Sequence, residues 1–315
     1  MRRPGKHWWL HLFLLMVAVP TLMPFVFVLN NSFRTSSEML HGYFGVPRAA
    51  RAALSCAWRA LRGSPGPSFV ITDAKQTLAL SHTHALRYHL RLLLRNYRDA
   101  WTSVRPYLRN TLWVVCAVAT GVLILGTATA FVLSRFPFPG RTVVFYYFLS
   151  TMMFPGVLTL VPSFLLIKRL GLLNSYSALI VPMVAGGQVF AIFVFKSFFD
   201  GLSQDLFDAA KIDGAGLFSL YWHLLLPLSR PVIAVVLIIN ILGTWNNFLW
   251  PFIVNTDPRY HIVASGLYVM SASESASNPG MLFAAYVITS IPLLLLFACA
   301  TRAFMQGMTS GAFKA

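Results

Sequence analysis

Catalysis needs nucleophiles, acids and bases at fixed spacing, and this chain of 315 residues is short of them: it holds nine Asp or Glu, eight His and three Cys. It contains no GxxxxGK[ST] phosphate loop, no GxSxG elbow and no HExxH zinc helix. His82 and His84 form an H-x-H pair without a clustered third ligand, which reads as a solvated pair, while His11 and His223 read as interfacial packing residues. No CxxC pair suggests a metal or redox site. What stands out is a polar island, DAAKIDGAG at 208–216, that takes two of the nine acids, Asp208 and Asp213. Ala209 and Ala210 remove side-chain bulk, so another backbone can approach, and Asp208 and Lys211 can offer it charge. Leu206, Phe207, Leu217, Phe218, Tyr221 and Trp222 surround the island with apolar surface. That mixture suits docking into a partner's groove. A helical hairpin lying on lipid is the alternative.

The elements around the island place it. The chain is 57% hydrophobic and 11% charged, with a mean hydropathy of +0.66, too apolar for a soluble protein of this length. Six stretches are long enough to cross about 30 Å of hydrocarbon: 8–29, 110–133, 143–167, 177–195, 231–254 and 281–301, none holding Asp, Glu, Lys or Arg. The expectation is an all-α polytopic membrane protein with six transmembrane helices. The first apolar run follows MRRPGK but lacks a small-residue cleavage site, so it reads as a retained helix. With the amino terminus inside, ten Lys or Arg fall on the cytoplasmic side and Lys168, Arg169 and Arg259 in the short outer loops, which favours both termini inside. On that topology, 198–230 is cytoplasmic and 30–109 external. The external segment carries twelve Lys or Arg against Glu38, Asp73 and Asp99, and it accounts for most of the net charge of +16. A basic surface near anionic lipid explains that charge without nucleic acid.

The spans hold no ionisable group of the kind that ion-coupled transporters use to bind the coupling ion, so uphill transport by this chain would draw on another polypeptide. An ion-coupled secondary transporter is therefore the weaker class. The island itself is expected to fold as a helix over about 204–212, a left-handed Gly214, and a second helix over about 217–225 ending before Pro227. Pro231 then suits the first turn of the fifth span.

DAAKIDGAGLFSLYWHLLLPLSRP resembles the EAA loop of binding-protein-dependent ABC importers: Asp208-Ala209-Ala210 matches EAA, Gly214 the glycine, and Leu224, Leu226 and Pro227 the closing hydrophobic-x-LP. The acid is Asp rather than Glu, one methylene shorter. LRNYRDAW (94–101), YLRNTLWV (107–114), SRFPFPGR (134–141), KRLGLLNSY (168–176), LGTWNNFLWPFIV (242–254) and QGMTSGAFKA (306–315) are similar to strings of MalG-like carbohydrate-importer permeases. The resemblance covers about 8–34 and 94–315, and 35–93 departs from it.

The resemblance implies the type I ABC importer permease (MetI-like) fold in a bacterial inner membrane. It implies a second, MalF-like permease, two cytoplasmic ATPase subunits that bind the ATP, an external solute-binding protein, and no cofactor in this chain. It gives Asp208, Ala209, Ala210, Lys211, Gly214 and Pro227 the ATPase-coupling role, and the solute is a sugar or, alternatively, a compound such as glycerol phosphate. The expected divisions are 1–34 (amino terminus and first span), 35–106 (external loop), 107–303 (transport domain, with its coupling loop at 198–230) and 304–315 (cytoplasmic tail).

Solute contacts are expected near interrupted helices at midmembrane. The candidates are Gln188 on the fourth span and Asn240, Trp245, Asn246 and Asn247 on the fifth, whose amides and aromatic faces suit sugar hydroxyls and C–H faces. Polar glue between helices is the competing role. Pro155, Pro162 and Pro292 are expected to kink helices. In the external segment, 48–61 and 84–97 are expected to be two basic amphipathic helices separated by GSPGPS, lying on the outer leaflet or docking an acidic face of the solute-binding protein. Cys56, placed outside, is expected to react with a membrane-impermeant maleimide.

Overall fold

The computed structural model describes residues 8–62, 69–73, 76–80, 82–274 and 278–312. The GSPGPS stretch, Lys75 and both termini, with Arg2, Arg3, Lys6 and Lys314, lie outside these residues, as does the side chain of His82. In chain order the elements are α1 (Trp8–Ser32), α2 (Ser36–Leu40), α3 (Arg48–Leu61), an antiparallel pair β1 (Phe69–Asp73) and β2 (Gln76–Leu80), α4 (His82–Arg135), α5 (Arg141–Thr151), α6 (Gly156–Arg169), α7 (Ser177–Asp200) and α8 (Gln204–Ile212). There follow α9 (Leu217–Ser219), a π turn (Leu220–Leu225), α10 (Leu226–Leu228), α11 (Arg230–Trp245), α12 (Leu249–Val254), a 3-10 turn (Pro258–Tyr260), α13 (Val263–Glu274) and α14 (Pro279–Ala312). Apart from the two strands the fold is helical.

Among the described residues, four helices are long and apolar enough to span a membrane, and the total reaches six when each of two bent pairs is taken as one span. Three sequence expectations change. The 84–97 stretch is not a separate helix: it opens the 54-residue α4, which runs on through the second span. The third span is not one kinked helix, because α5 and α6 meet at 97°. Pro155 sits at the cap of α6, where it forces the preceding residue off the helical region and cannot donate an N–H, whereas Pro162 is carried inside α6. The fifth span is not continuous over 231–254. It stops at Trp245 and restarts as α12, since Pro251 has no N–H and its ring would strike the carbonyl four residues earlier.

The chain divides into two compact units, 1–105 with 267–291, and 106–266 with 292–315. In the first unit α1 exposes apolar side chains along its whole length, and the chain leaving it is tied by a buried polar knot. Arg34 donates to the Glu38 carbonyl (3.0 Å) and to Asn31 Oδ1 (3.2 Å), and Asn96 on α4 donates to the carbonyls of Ser32 and Arg34 (2.9 Å each). Among the carbonyls freed at the end of α1, that of Ser32 thereby gains a partner. Cys56 is fully buried on α3, and burial raises its thiol pKa, so it presents little thiolate to a maleimide. The labelling expected of it is corrected on both counts.

The second unit is built on close α4–α7 packing. Val114, Val118 and Val122 recur every four residues on α4, and α7 buries Ala178, Leu179, Ala191, Phe195 and Phe199. Gly121 and Gly126 make the approach possible: a Cβ at Gly121 would lie 2.8 Å from Val184 Cγ2, and one at Gly126 3.1 Å from the Ala191 Cβ. In lipid, where helices gain no hydrophobic drive by associating, small residues of this kind provide the contact area.

Candidate functional site

The first arm and the turn of the hairpin at 203–229 follow the sequence expectation, but the second arm does not end before Pro227: it stays helical through Pro227 to Leu228, because a proline in the first turn of α10 gives up no hydrogen bond that the turn needs. Ser203 caps α8 by accepting the Asp205 N–H (3.2 Å), and Asp205 adds negative charge to the first turn. At the other end Gly214 has φ +82°; its N–H bonds the Lys211 carbonyl (3.0 Å), and the Ala215 N–H bonds the Ala210 carbonyl (2.9 Å). This double closure is the glycine stop that a residue with a Cβ forms only under strain. Asp208 is exposed, and its Oδ1 accepts from Lys211 Nζ (3.1 Å) and Gln204 Nε2 (3.1 Å); these bonds hold its carboxyl below the ordinary value. Ala209 sits on the same helix, and Ile212, Leu217 and Phe218 are strongly exposed around the turn. The second arm has a feature that the sequence did not suggest. It passes through a π turn in which the Leu226 N–H reaches back to the Tyr221 carbonyl, directly ahead of Pro227, which offers no N–H. The arm then meets α11 at 76°.

Sequence reading missed the residue that ties this hairpin to the spans. Arg135, the last residue of α4, donates to Gln204 Oε1 (2.8 Å), to the Leu202 carbonyl (2.9 Å) and to the Phe199 carbonyl. Its guanidinium also lies 4.1 Å from the ring centroid of Phe207 on α8. One planar fork thus joins the ends of α4 and α7 to the first arm, a geometry that Lys could not reproduce. The second arm is joined to α4 higher up, where the Tyr221 and Thr127 hydroxyls lie 2.6 Å apart and Phe131 packs 5.6 Å from the Tyr221 ring. The signal available in the sequence was SRFPFPGR, which marks the end of a span and says nothing of what its arginine reaches.

Between α7 and α11 lies a cavity of about 280 Å³ lined by Met183, Gly187, Phe190, Val236, Ile239, Asn240, Gly243, Thr244 and Asn247. Asn240, Thr244 and Asn247 recur at i, i+4 and i+7, forming a polar stripe that ends at the break after α11. Asn240 Oδ1 is buried without a protein partner. Gly187 is required opposite it, since a Cβ there would lie 2.8 Å from Asn240 Nδ2 and 2.9 Å from Val122 Cγ2. Of the five expected solute residues the cavity takes Asn240 and Asn247. Gln188, buried Trp245 and exposed Asn246 lie outside its lining, and Thr244 and Gly187 were missed.

At the opposite end from the hairpin, the loop after α12 is clamped to α4 and α7. Asn110 donates to the Arg259 and His261 carbonyls (2.8 and 2.9 Å) and accepts from the Tyr176 hydroxyl (2.8 Å). Asn174, with φ +54°, accepts the N–H groups of Thr256 and Asp257 (2.8 and 3.0 Å). The carbonyls of Arg259 and His261 and the N–H groups of Thr256 and Asp257 thereby find partners within the protein.

These features define the membrane-embedded subunit of a transporter: bent and interrupted spans around a polar cavity, with a capped helical hairpin projecting from one end. The profile of the binding-protein-dependent transport system inner membrane component matches residues 122–310, and the chain belongs to that family. That family is one of membrane transport components and is not an enzyme class. The chain is 32% identical to the diacetylchitobiose uptake system permease protein NgcG of Streptomyces coelicolor over 307 residues, covering 96% of this chain and 88% of that one. It is 31% identical to the arabinooligosaccharides transport system permease protein AraQ of Halalkalibacterium halodurans (71% and 80% covered) and 31% identical to the sn-glycerol-3-phosphate transport system permease protein UgpE of Brucella abortus (69% and 79%). A bacterial ABC transporter involved in import of the acidic polysaccharide alginate has the same fold, with a TM-score of 0.66 at 16% identity over 96% of this chain and 99% of that chain.

Proposed function

We propose that this chain forms one half of the pore of an ATP-driven importer and that hairpin 198–230 seats in a cleft of a cytoplasmic ATPase. The observation that carries the reading is the rigid hairpin itself, capped at Ser203, stopped at Gly214 and clamped by Arg135, with exposed apolar and charged residues at its tip. A second, MalF-like permease completes the pore, two ATPase subunits bind and hydrolyse ATP, and an external solute-binding protein delivers the solute. Both termini lie in the cytoplasm, as the distribution of Lys and Arg favours. Closure of the ATPases moves α8, and Arg135 and Tyr221 carry the motion into α4.

The solute path runs along Asn240, Thr244 and Asn247. Their amides and hydroxyl suit sugar hydroxyl groups, Phe190 offers an aromatic face, and no lining residue carries charge. An uncharged lining favours a neutral saccharide over a phosphate ester. In the reconstituted complex, Asn240→Leu, Thr244→Val and Asn247→Leu are each expected to lower uptake of the cognate sugar while ATPase subunits still co-purify. Unchanged uptake in all three overturns the path. Loss of ATPase co-purification on altering the hairpin tests the coupling role separately.

A further inference from the structure

The helix α3 carries an exposed surface to which the proposed transport function assigns no role. After Ser32 the chain turns back along α1: Asn30 Nδ2 donates to the Gly45 carbonyl (2.9 Å), and the rings of Phe44 and Tyr43 lie 5.6 and 6.4 Å from Phe27. Phe27 is about 7.5 Å inside the end of α1 at 1.5 Å per residue. From that depth the chain enters α3, whose first N–H, that of Arg48, is held by the Glu38 carboxylate (3.1 Å). Glu38 is itself buried beside Arg34 (3.8 Å), so the start of α3 is fixed where the exposed apolar surface of α1 ends.

The orientation of α3 follows from its burial. Ala49, Ala53 and Cys56 are buried, and at about 100° per residue Leu54, Trp58 and Leu61 fall on the opposite side. There they are 69%, 58% and 84% exposed. Arg51 and Arg62 border this stripe, the Arg62 guanidinium lying 4.4 Å from the Trp58 ring centroid, and α3 has no acid. Buried in water-free protein, the arginines would be costly; left in water, the stripe would be an exposed apolar patch. At a membrane surface both are satisfied: leucines in the acyl boundary, tryptophan at the interface, guanidinium groups among phosphates.

We propose that α3 is an interfacial helix seated in the leaflet that α1 leaves at Ser32, with its Leu54–Trp58–Leu61 stripe in the acyl boundary and its arginines on anionic phospholipid headgroups. The inference rests on α1 being a span. It depends neither on which side of the membrane that end faces nor on the coupling hairpin, so it can fail while the transport reading stands. The test uses the whole importer complex in mixed phosphatidylcholine–phosphatidylglycerol nanodiscs, in a Cys56→Ala, Cys116→Ala, Cys299→Ala background. Spin labels are placed singly by Leu54→Cys, Trp58→Cys and Arg59→Cys. Oxygen is expected to relax the labels at 54 and 58 more than a water-soluble nickel chelate does, with the order reversed at 59. Omitting phosphatidylglycerol is expected to move the label at 54 toward water. Nickel dominating at all three sites overturns the proposal, as does shielding of 54 and 58 only while the solute-binding protein is docked. A depth unchanged by phosphatidylglycerol overturns the headgroup assignment.

Discussion

At the scale of single residues, Gly214 and Asp208 divide the work of the hairpin tip. Gly214 supplies backbone: its φ of +82° costs a residue with a Cβ about 1 kcal/mol or more. Nothing lies within 4 Å of the Cβ position, so the penalty of Gly214→Val is strain and not collision. The variant is expected to remain in the membrane while uptake and ATPase co-purification both fall, which uptake assays and affinity pull-down would show; normal values for both would remove the docking role. Asp208 supplies charge. Its carboxyl lies below its ordinary value because Lys211 and Gln204 bond it, so the charged form persists above that value and is lost only as pH falls through the lowered one. Hairpin–ATPase binding is therefore expected to be flat from about pH 8 to pH 5 on account of this group. His261 behaves oppositely. It is buried with Nδ1 unpartnered, and burial lowers its pKa from 6.5. Below that pH the unfolded chain takes up a proton that the folded chain resists, so stability falls as pH drops. Unfolding temperature between about pH 8 and pH 5.5 should decline more in the wild type than in His261→Leu; equal declines would show that the group does not titrate there.

At the scale of elements, α4 is the helix to which both arms of the hairpin are tied. Arg135 gives it one hydrogen bond and an aromatic stack on the first arm and two hydrogen bonds at the end of α7, and Thr127 and Phe131 grip the second arm. Arg135→Lys keeps a charge but loses the fork, and Arg135→Ala takes its donor from the Leu202 carbonyl while the Phe199 carbonyl keeps only the Leu202 N–H, at about 1–3 kcal/mol for a buried polar group left unpaired. The expected outcome is ATPase activity that no longer follows solute delivery, mild in the Lys variant and severe in the Ala variant, with the ATPase still bound; tight coupling in Arg135→Ala would refute the lever. The α4–α7 contact is equally restrictive. Gly187→Val drives a side chain into Asn240 and Val122, and overpacking of that kind costs about 1–3 kcal/mol. Thermal stability of the purified complex should fall, and uptake with it.

At the scale of the whole molecule, the prediction concerns sidedness. Cys56 cannot report it, being buried. In a background without native cysteines, Arg62→Cys on the exposed end of the α3 region is expected to react with an impermeant maleimide from outside, and Ser219→Cys only after the membrane is opened. The reverse pattern would invert the topology. The same experiment separates the positive-inside argument from the charge of the long basic segment, which lies beyond the loop length over which that rule acts.

The sequence alone determined whatever depends on local composition and chain conformation. Charge-free apolar runs gave the number and approximate place of the spans, because hydrocarbon admits little else. Gly214 and Pro231 placed the end of the first arm and the start of the fifth span to within a residue, since positive φ and a missing N–H act through the backbone next door. Tertiary structure decided what lies side by side. Arg135 and Phe207 are 72 positions apart in sequence yet stacked, and no periodicity encodes such a contact. The same holds for Gly187 opposite Asn240, which made Asn240 a cavity residue while its neighbours Trp245 and Asn246 turned elsewhere. The breaks at Pro155 and before Pro251 could be suspected from the prolines, but Pro162 sits quietly inside α6. Whether a proline bends a helix or is absorbed by it depends on which neighbours satisfy the carbonyl it frees, and only the folded chain supplies those neighbours.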